Sequence, residues 1–148
     1  MILTLLLAAA AVAAVEAQRL VIGERAPELR IREWMGGSGL TEGRPSLVEF
    51  VVSTSAPSVR RVAPLKALAA RYRGRLDVVL VAKEAPDKIA PLVGDRGALL
   101  IGIDDGGKSY AAFGVQYVPF AVLIDGRGRV VWSGNPSSLD EQQIDDVL

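Results

Sequence analysis

The sequence predicts an α/β domain in which a mixed central sheet carries helices on both faces and an N-terminal β extension. Short apolar runs with the length and composition of buried strands alternate with segments whose apolar residues recur at helical spacing. Near the C-terminus, a turn sequence separates two further apolar runs, which indicates a hairpin. Strands that alternate with helices in this way are typical of a sheet covered by helices on both sides.

The first half of the chain is predicted to supply three strands and one long helix. Residues 26–32 alternate apolar and charged side chains, as an edge strand does. Residues 47–52 and 76–82 are apolar apart from one acid each and fit buried strands. From residue 59 to residue 73, apolar side chains recur at helical spacing with Arg and Lys on the other side, which predicts an amphipathic helix.

The second half is predicted to continue the alternation with shorter elements. Residues 125–128 (DGRG) are the turn signal of a hairpin between the last two strands. Ser138 begins the motif SLDE, which we interpret as a capping box that opens the final helix. The predicted helices are residues 86–93 and 109–113, and the predicted strands are residues 98–103, 121–124 and 129–132.

Length and charge limit the domain organisation and the partners. A chain of 148 residues, half of them hydrophobic, suffices for one globular domain and is not expected to hold two. The 17 basic and 17 acidic residues cancel, so no net field would attract nucleic acid or an anionic membrane. Basic residues do cluster between positions 60 and 75, but a solvated helix face explains them better than a nucleic-acid site. We therefore predict no nucleic-acid partner.

The chain contains neither histidine nor cysteine. Their absence excludes disulfide exchange, thiolate nucleophiles and iron–sulfur ligation, and removes the commonest general base and metal ligand. The acidic turns at residues 104–107 and 125–128 lack the ligand spacing of a calcium loop. The glycine-rich segment 36–39 lacks the Lys and Ser or Thr that follow in a phosphate-binding loop. We therefore predict no metal site and no cofactor.

Residues 1–17 are predicted to be a signal peptide, followed by a mature domain at residues 18–148. An uninterrupted apolar run covers residues 2–15, which is too short to cross a bilayer comfortably. Small residues at positions 15 and 17 offer a cleavage site. An uncleaved membrane anchor and a misassigned start codon are the alternatives. The expected location is periplasmic or extracellular, with a membrane tether if the segment is retained.

Three stretches of the sequence resemble motifs of a known superfamily. Residues 22–29 (IGERAPEL), 45–50 (PSLVEF) and 114–128 (GVQYVPFAVLIDGRG) stand in the order of three thioredoxin-superfamily motifs. Over residues 23–148 the chain resembles the exported TlpA/ResA-like and AhpC/TSA-type redoxins, which implies a thioredoxin-like fold. Residues 54–65 (TSAPSVRRVAPL) are similar to a CPxC-bearing redoxin of methylamine-dehydrogenase maturation.

The resemblance implies an active-site corner, where the family keeps two redox cysteines at the N-terminus of a helix. The unpaired N–H groups and the dipole at that end of a helix favour a thiolate. A count from the end of the preceding strand gives positions 55 and 58, whereas a count back from the helix proline gives positions 56 and 59. Both alternatives remain open, and neither supplies a sulfur, so no catalytic residue is expected. The degenerate active-site positions are Ser55, Ala56, Pro57, Ser58 and Val59.

The resemblance also implies a groove for a peptide. Pro119 matches the family's proline that is usually cis, packs beside the cysteine pair and presents a backbone edge to the partner. We therefore expect the Val118–Pro119 bond to be cis and an exported protein or peptide to bind there. Glu49 stands where related proteins often keep a buried polar residue that assists proton transfer, although a surface or edge position suits the sequence equally well.

The two serines of the corner are expected to be structural. A serine has no disulfide state, and its hydroxyl is a nucleophile only beside a base. The chain has no histidine, and no lysine has a spacing that suggests a Ser–Lys pair. We interpret Ser55 or Ser58 as the cap of the helix predicted to begin at Val59.

Two functions remain open at this point. The first is an exported thioredoxin-fold (redoxin) domain without redox chemistry, which binds a protein or peptide or assists the assembly of a complex. The second is a member of a thiol–disulfide oxidoreductase or peroxiredoxin-like family whose cysteines have been lost. Because the chain has no cysteine, we expect it to be redox-inactive in either case.

Overall fold

The computed structural model describes residues 20–148, and the signal peptide predicted at residues 1–17 lies outside the described residues. Within that range the chain forms a six-stranded sheet and five α-helices, with one 3₁₀ turn at Pro136–Ser138. The strands are β1 (Ile31–Trp34), β2 (Ser46–Phe50), β3 (Asp77–Ala82), β4 (Leu100–Asp104), β5 (Phe120–Ile124) and β6 (Val130–Gly134). The helices are α1 (Ala56–Val59), α2 (Val62–Arg71), α3 (Pro86–Val93), α4 (Lys108–Ala112) and α5 (Glu141–Asp145).

The sheet is mixed, as predicted. Its strand order is β1-β4-β3-β2-β5-β6. The three central strands β2, β3 and β4 run parallel, whereas β1 pairs antiparallel with β4, and β5 and β6 form an antiparallel extension beyond β2. The carboxyl ends of β2 and β3 therefore open at the same edge of the sheet, next to the start of β5.

Side chains of the sheet pack into two apolar layers, one on each face. In β3, Val78 and Leu80 point to the layer that also contains residues of α2, α3 and α5. Val79 and Val81 point to the opposite layer, which is closed by α4 and by the segment before β1. Burial on both faces explains why the central strands read as continuous apolar runs rather than alternating ones. The prediction of helices on both faces is confirmed.

The N-terminal edge strand begins later than predicted. The sequence predicts it at residues 26–32, but β1 covers Ile31–Trp34. Before β1, the backbone N–H of Ala26 donates to the carbonyl of Gly128 (2.8 Å). This segment therefore first runs beside the β5–β6 end of the sheet, opposite the edge where β1 pairs. Pro27 has no N–H to continue that ladder, and the chain then crosses to the β4 edge.

The long helix predicted at residues 59–73 corresponds to α2, which begins three residues later and ends two residues earlier. A separate short helix, α1, precedes it, and Arg60 and Arg61 lie between the two. Pro64 explains the break. In one continuous helix its N–H would have to donate to the carbonyl of Arg60, but proline has no N–H and its ring clashes with that carbonyl. The break places Pro64 in the first turn of α2, where no donor is required.

The capping box of the last helix lies two residues later than predicted. Ser138 ends the 3₁₀ turn instead of opening α5. Asp140 is the N-cap, with its carboxylate accepting from the N–H of Gln142 (3.0 Å), and Gln143 returns its side chain to the N–H of Asp140 (3.0 Å). Pro136 favours the separate turn because its ring fixes a helical φ at the turn's first position.

The remaining predicted elements match the structure within two residues. Helix α3 has the predicted bounds, and the hairpin turn at residues 125–128 closes through the N–H of Gly128 and the carbonyl of Asp125 (3.0 Å). Trp34 and Trp132 are half-buried packing residues of opposite layers. Among the helices in the described part of the chain, none combines the length and the apolar character that a membrane span requires.

Candidate functional site

The predicted active-site corner and the predicted groove lie at the same end of the sheet. Phe50, the last residue of β2, is paired in register with Phe120, the first residue of β5. The loop that leads from β2 into α1 therefore starts beside the Val118–Pro119 segment. The Val118–Pro119 peptide bond is cis. Pro119 is buried and Val118 is half-buried.

Both serine hydroxyls of the corner accept hydrogen bonds from the backbone. Ser55 is the N-cap of α1, and its Oγ accepts from the N–H of Ser58 (3.3 Å). Ser58 is buried, and its Oγ accepts from the N–H of Val52 (3.2 Å). The two side chains thus tie the loop to the first turn of the helix, which is the capping role expected for one of them.

The two candidate registers of the absent cysteine pair differ in exposure. Ser55 is half-buried at the helix N-terminus and Ser58 is buried one turn later. Ala56 and Val59, the pair in the other register, are both exposed, as is Pro57. An accessible first position and a protected second position therefore occur together at 55 and 58.

Neither serine of the corner is hydrogen-bonded to a basic side chain among the described residues. Among the described residues, no lysine or carboxylate forms a hydrogen bond with Ser55 or Ser58. The ammonium of Lys83 lies over the ring of Tyr110, 4.6 Å from its centroid. A serine hydroxyl acts as a nucleophile when an adjacent base accepts its proton, and the described hydrogen bonds of these two hydroxyls are with backbone N–H groups.

Glu49 lies in the interior beneath the corner. It is fully buried in the central strand β2, and Arg61 reaches down from the break between α1 and α2 to pair with it. The Nε of Arg61 donates to both carboxylate oxygens (3.2 and 3.1 Å), and Nη2 donates to Oε1 (3.1 Å). Burial raises the pKa of Glu49 above its ordinary value, and the guanidinium offsets this only in part. Of the two positions left open by the sequence, Glu49 occupies the buried one.

Glu84 is a second carboxylate near the corner, and the sequence did not single it out. Glu84 follows β3, and its Oε1 accepts from the N–H of Ser53 (2.5 Å), while Oε2 is buried without a partner among the described residues. Partial burial raises the pKa of Glu84, but the backbone N–H groups around it outweigh this effect and hold the pKa below its ordinary value. Its position after a buried strand, at the same sheet edge as the corner, is the signal that could have identified it.

Tyr110 is also part of this end of the sheet and was not identified from the sequence. Its hydroxyl lies 2.6 Å from the carbonyl of Val51 and 2.8 Å from that of Val81, so it bridges the ends of β2 and β3. Its ring packs edge-on against Phe50, with centroids 5.0 Å apart. Burial raises the pKa of the Tyr110 hydroxyl far above its usual value, which favours the neutral form that donates a hydrogen bond.

Two of the segments that form the corner each carry an exposed apolar side chain. Val59 at the end of α1 is 37% exposed, and Tyr117 before the cis peptide is 50% exposed. The Tyr117 ring stacks edge-on against Phe120 with centroids 5.4 Å apart, which fixes its orientation. Among the described residues, none accepts a hydrogen bond from the backbone N–H of Tyr117 or Val118.

The carboxylates of the two acidic turns accept hydrogen bonds from backbone N–H groups. Both carboxylate oxygens of Asp104 accept from the N–H of Ser109 (3.0 and 3.2 Å). The carboxylate of Asp125 accepts from the N–H groups of Arg127 (2.9 Å) and Arg129 (3.0 Å). Across residues 20–148 no three acidic side chains are grouped so that they could hold a metal ion.

Comparison with known proteins finds similarity in structure but not in sequence. No family model and no curated protein matches the chain. Solved structures do match. A protein assigned as the thiol:disulfide interchange protein DsbE from Chlorobium tepidum is similar with a TM-score of 0.73 and 21% identity, over 86% of this chain and 98% of that one.

Two further solved structures agree with the first. A protein assigned as a protein disulfide isomerase from Bacteroides thetaiotaomicron is similar with a TM-score of 0.70 and 20% identity, over 87% of this chain and 91% of that one. A thioredoxin-like protein in its oxidised form is similar with a TM-score of 0.71 and 20% identity, over 83% and 93% of the two chains. The described part of the chain therefore has the thioredoxin fold that the sequence motifs predict, and it has this fold without any cysteine.

Proposed function

We propose that this chain is an exported thioredoxin-fold domain that binds an extended protein or peptide segment at the active-site corner without exchanging disulfides. The observation that supports the proposal is that serines, and no cysteines, occupy the corner. Ser55 and Ser58 stand at the helix N-terminus, and their hydroxyls hold backbone N–H groups. Such a corner keeps its shape but cannot transfer electrons, because transfer requires a thiolate and a disulfide.

Backbone and side chains beside Pro119 supply groups that a peptide could use. The N–H groups of Tyr117 and Val118 meet no acceptor among the described residues. An extended segment that runs alongside would satisfy them, as a strand added to a sheet edge does. The exposed side chains of Tyr117 and Val59 offer apolar contact on either side of that segment.

Export is the second part of the proposal. It rests on the signal peptide predicted at residues 1–17 and on the names of the structural neighbours, two of which refer to disulfide interchange or isomerisation. We expect the chain to be found in the periplasm or outside the cell with its N-terminus near Gln18. Cell fractionation followed by N-terminal sequencing measures both, and a cytoplasmic protein that still begins at Met1 would contradict export.

The binding proposal is tested by comparing two variants of the full-length chain. Tyr117→Glu places a charge at the groove, and Leu40→Glu places the same charge on a residue with similar exposure at the other end of the sheet. Proteins captured from an extract of the native host should be lost with Tyr117→Glu and kept with Leu40→Glu. An identical set of captured proteins with both variants would count against the groove.

A second function is favoured by the exposure pattern at the corner. The accessible position 55, the protected position 58 and the buried Glu49 match the arrangement expected for a thiol–disulfide oxidoreductase that has lost its cysteines. The test installs Ser55→Cys with Ser58→Cys, and separately Ala56→Cys with Val59→Cys, and assays reduction of a model disulfide. We expect activity in the 55/58 variant. Failure of both variants would show that the corner no longer supports this chemistry.

A further inference from the structure

We propose that a cleft between α2 and the C-terminal segment binds a small monocarboxylic acid with an apolar tail, and that Arg61 holds its carboxylate. The cleft has a volume of about 380 Å³. This lies within the range of roughly 300–1,000 Å³ found for small-molecule sites. No residue of the corner, 55–59 or 118–119, lines it, so the proposal does not depend on the function proposed above.

The walls of the cleft are mostly apolar. Leu68 and Ala67 come from α2, and Leu139 and Ile144 come from the segment that carries α5, with Pro136 from the 3₁₀ turn. Leu68 and Leu139 also pack at the edge of the core layer on this face and are half-buried. A hydrocarbon chain placed between them would remove apolar surface of both partners from water, which favours binding.

Arg61 supplies polar donors at one end of this apolar cleft. Its side chain is only 20% exposed, and its guanidinium uses Nε and one N–H of Nη2 on the buried Glu49. The Nη1 group has no acceptor among the described residues. A guanidinium presents five N–H donors in a planar fork, so the edge left over from Glu49 matches the two oxygens of a second carboxylate.

The cleft has one further ion pair. Arg71 pairs with Glu141 across the rim (2.5 Å), which joins α2 to α5, and both of these side chains are more than half exposed. Arg61 is the less exposed of the two lining arginines, so the charge on the edge that Glu49 leaves unused is less screened by water. An ammonium ligand would be repelled by it, and a neutral alcohol could occupy the apolar part but would accept fewer hydrogen bonds. One guanidinium edge and an apolar wall together select an acid with a single carboxylate and a short alkyl or aryl tail.

The experiment titrates octanoate into the full-length chain and follows the Nε–H resonance of Arg61 by NMR. Octan-1-ol and octylammonium are titrated in parallel as neutral and cationic probes with the same tail. We expect a saturable shift of the Arg61 resonance with octanoate. Octan-1-ol should bind at least about tenfold more weakly than octanoate, and octylammonium should not bind.

Two matched variants locate the site without changing Arg61 or Glu49. Ala67 and Ala70 are both exposed on α2, but only Ala67 lines the cleft. Ala67→Glu should weaken octanoate binding by about tenfold or more, because it places a carboxylate and extra bulk in the site, whereas Ala70→Glu should leave binding unchanged. No shift at Arg61 with octanoate, equal binding of octylammonium, or equal binding by the two variants would overturn the proposal.

Discussion

Two glutamates near the corner, Glu49 and Glu84, are held by different kinds of partner. Glu49 lies in a dry interior and has one cationic partner, Arg61. Glu84 lies at the partly exposed sheet edge, and its partner is the backbone N–H of Ser53. The pKa of Glu49 is raised and that of Glu84 is lowered.

The difference shows that a charged partner does not by itself keep the pKa of a buried carboxyl group at its ordinary value. Desolvation dominates at Glu49 although its ion pair has good geometry, because charge is costly where water is excluded. At Glu84 desolvation is smaller, and fixed N–H dipoles favour the ionised form without having to be brought there by a flexible side chain. The two residues therefore respond oppositely to pH.

The largest effect is expected from removing the partner of Glu49. Arg61→Leu leaves a fully buried carboxylate with no counter-charge, and we expect it to destabilise the fold by about 3 kcal/mol in urea unfolding at pH 7. Arg60→Leu, at the exposed neighbouring position, is the control and should change stability by less than about 0.5 kcal/mol.

The double variant Glu49→Leu with Arg61→Leu separates the ion pair from the packing. Removing both charges also removes their desolvation cost, so we expect most of the stability lost in Arg61→Leu to return. A double variant as unstable as Arg61→Leu alone would mean that the arginine stabilises the fold by packing and not by pairing with Glu49.

The second prediction concerns the pH dependence that Glu49 imposes. Because its pKa is raised on folding, the native state binds more protons than the unfolded state between the two pKa values. Its contribution to stability is therefore present at low pH and is lost as pH rises through the folded pKa, by about 1.4 kcal/mol for each unit that separates the two values. Glu49→Gln should lack this loss, so its stability relative to wild type should increase from pH 5 to pH 8. A constant difference over that range would contradict the raised pKa.

The third prediction has the opposite sign. The pKa of Glu84 is lowered on folding, so its contribution is present above the unfolded pKa of about 4.3 and is lost as pH falls through the folded value. Glu84→Gln keeps an acceptor for the N–H of Ser53 but loses the charge, and should cost about 1 kcal/mol at pH 7 and little at pH 3. Urea unfolding at the two pH values measures this, and an equal cost at both would show that charge is not what Glu84 contributes.

The smallest effect is expected at Ser55, the N-cap of α1. Ser55→Ala removes the acceptor for the N–H of Ser58 and should cost about 0.5–1 kcal/mol, since α1 is short and its first turn is partly exposed. Ser55→Asp restores an acceptor at the N-cap and should recover the loss. Urea unfolding with both variants provides the comparison, and no recovery with Asp would argue against a capping role.

The sequence is sufficient for the sheet and for the location of the corner. Strands β2, β3 and β5 are apolar runs because both of their faces are buried. A strand of this kind can therefore be recognised from its local sequence. The motifs at residues 45–50 and 114–128 are enough to locate the corner and the Val118–Pro119 segment. The helix break at Arg60 and Arg61 could also have been anticipated from Pro64, because proline lacks the donor that a continuous helix requires.

Several features of the site needed the tertiary structure. Nothing in the local sequence shows that Arg61 reaches Glu49, that Glu84 accepts from Ser53, or that Tyr110 bridges β2 and β3. The partners of these contacts lie 12 to 59 positions apart in the chain. Side-chain chemistry and helical or strand period are local properties, whereas the choice between a buried and an exposed Glu49 depends on which strands flank it.

What the sequence determined by itself was the limit on chemistry: a chain without cysteine or histidine cannot exchange disulfides, whatever its fold. Only the tertiary structure decided which hydrogen bonds the side chains of the corner make and how deeply they are buried. In the folded chain the hydroxyls of Ser55 and Ser58 accept hydrogen bonds from backbone N–H groups, and two carboxylates lie near the corner, Glu49 fully buried and Glu84 partly exposed. The physical reason is that desolvation is a property of the assembled layers, and no single segment carries it.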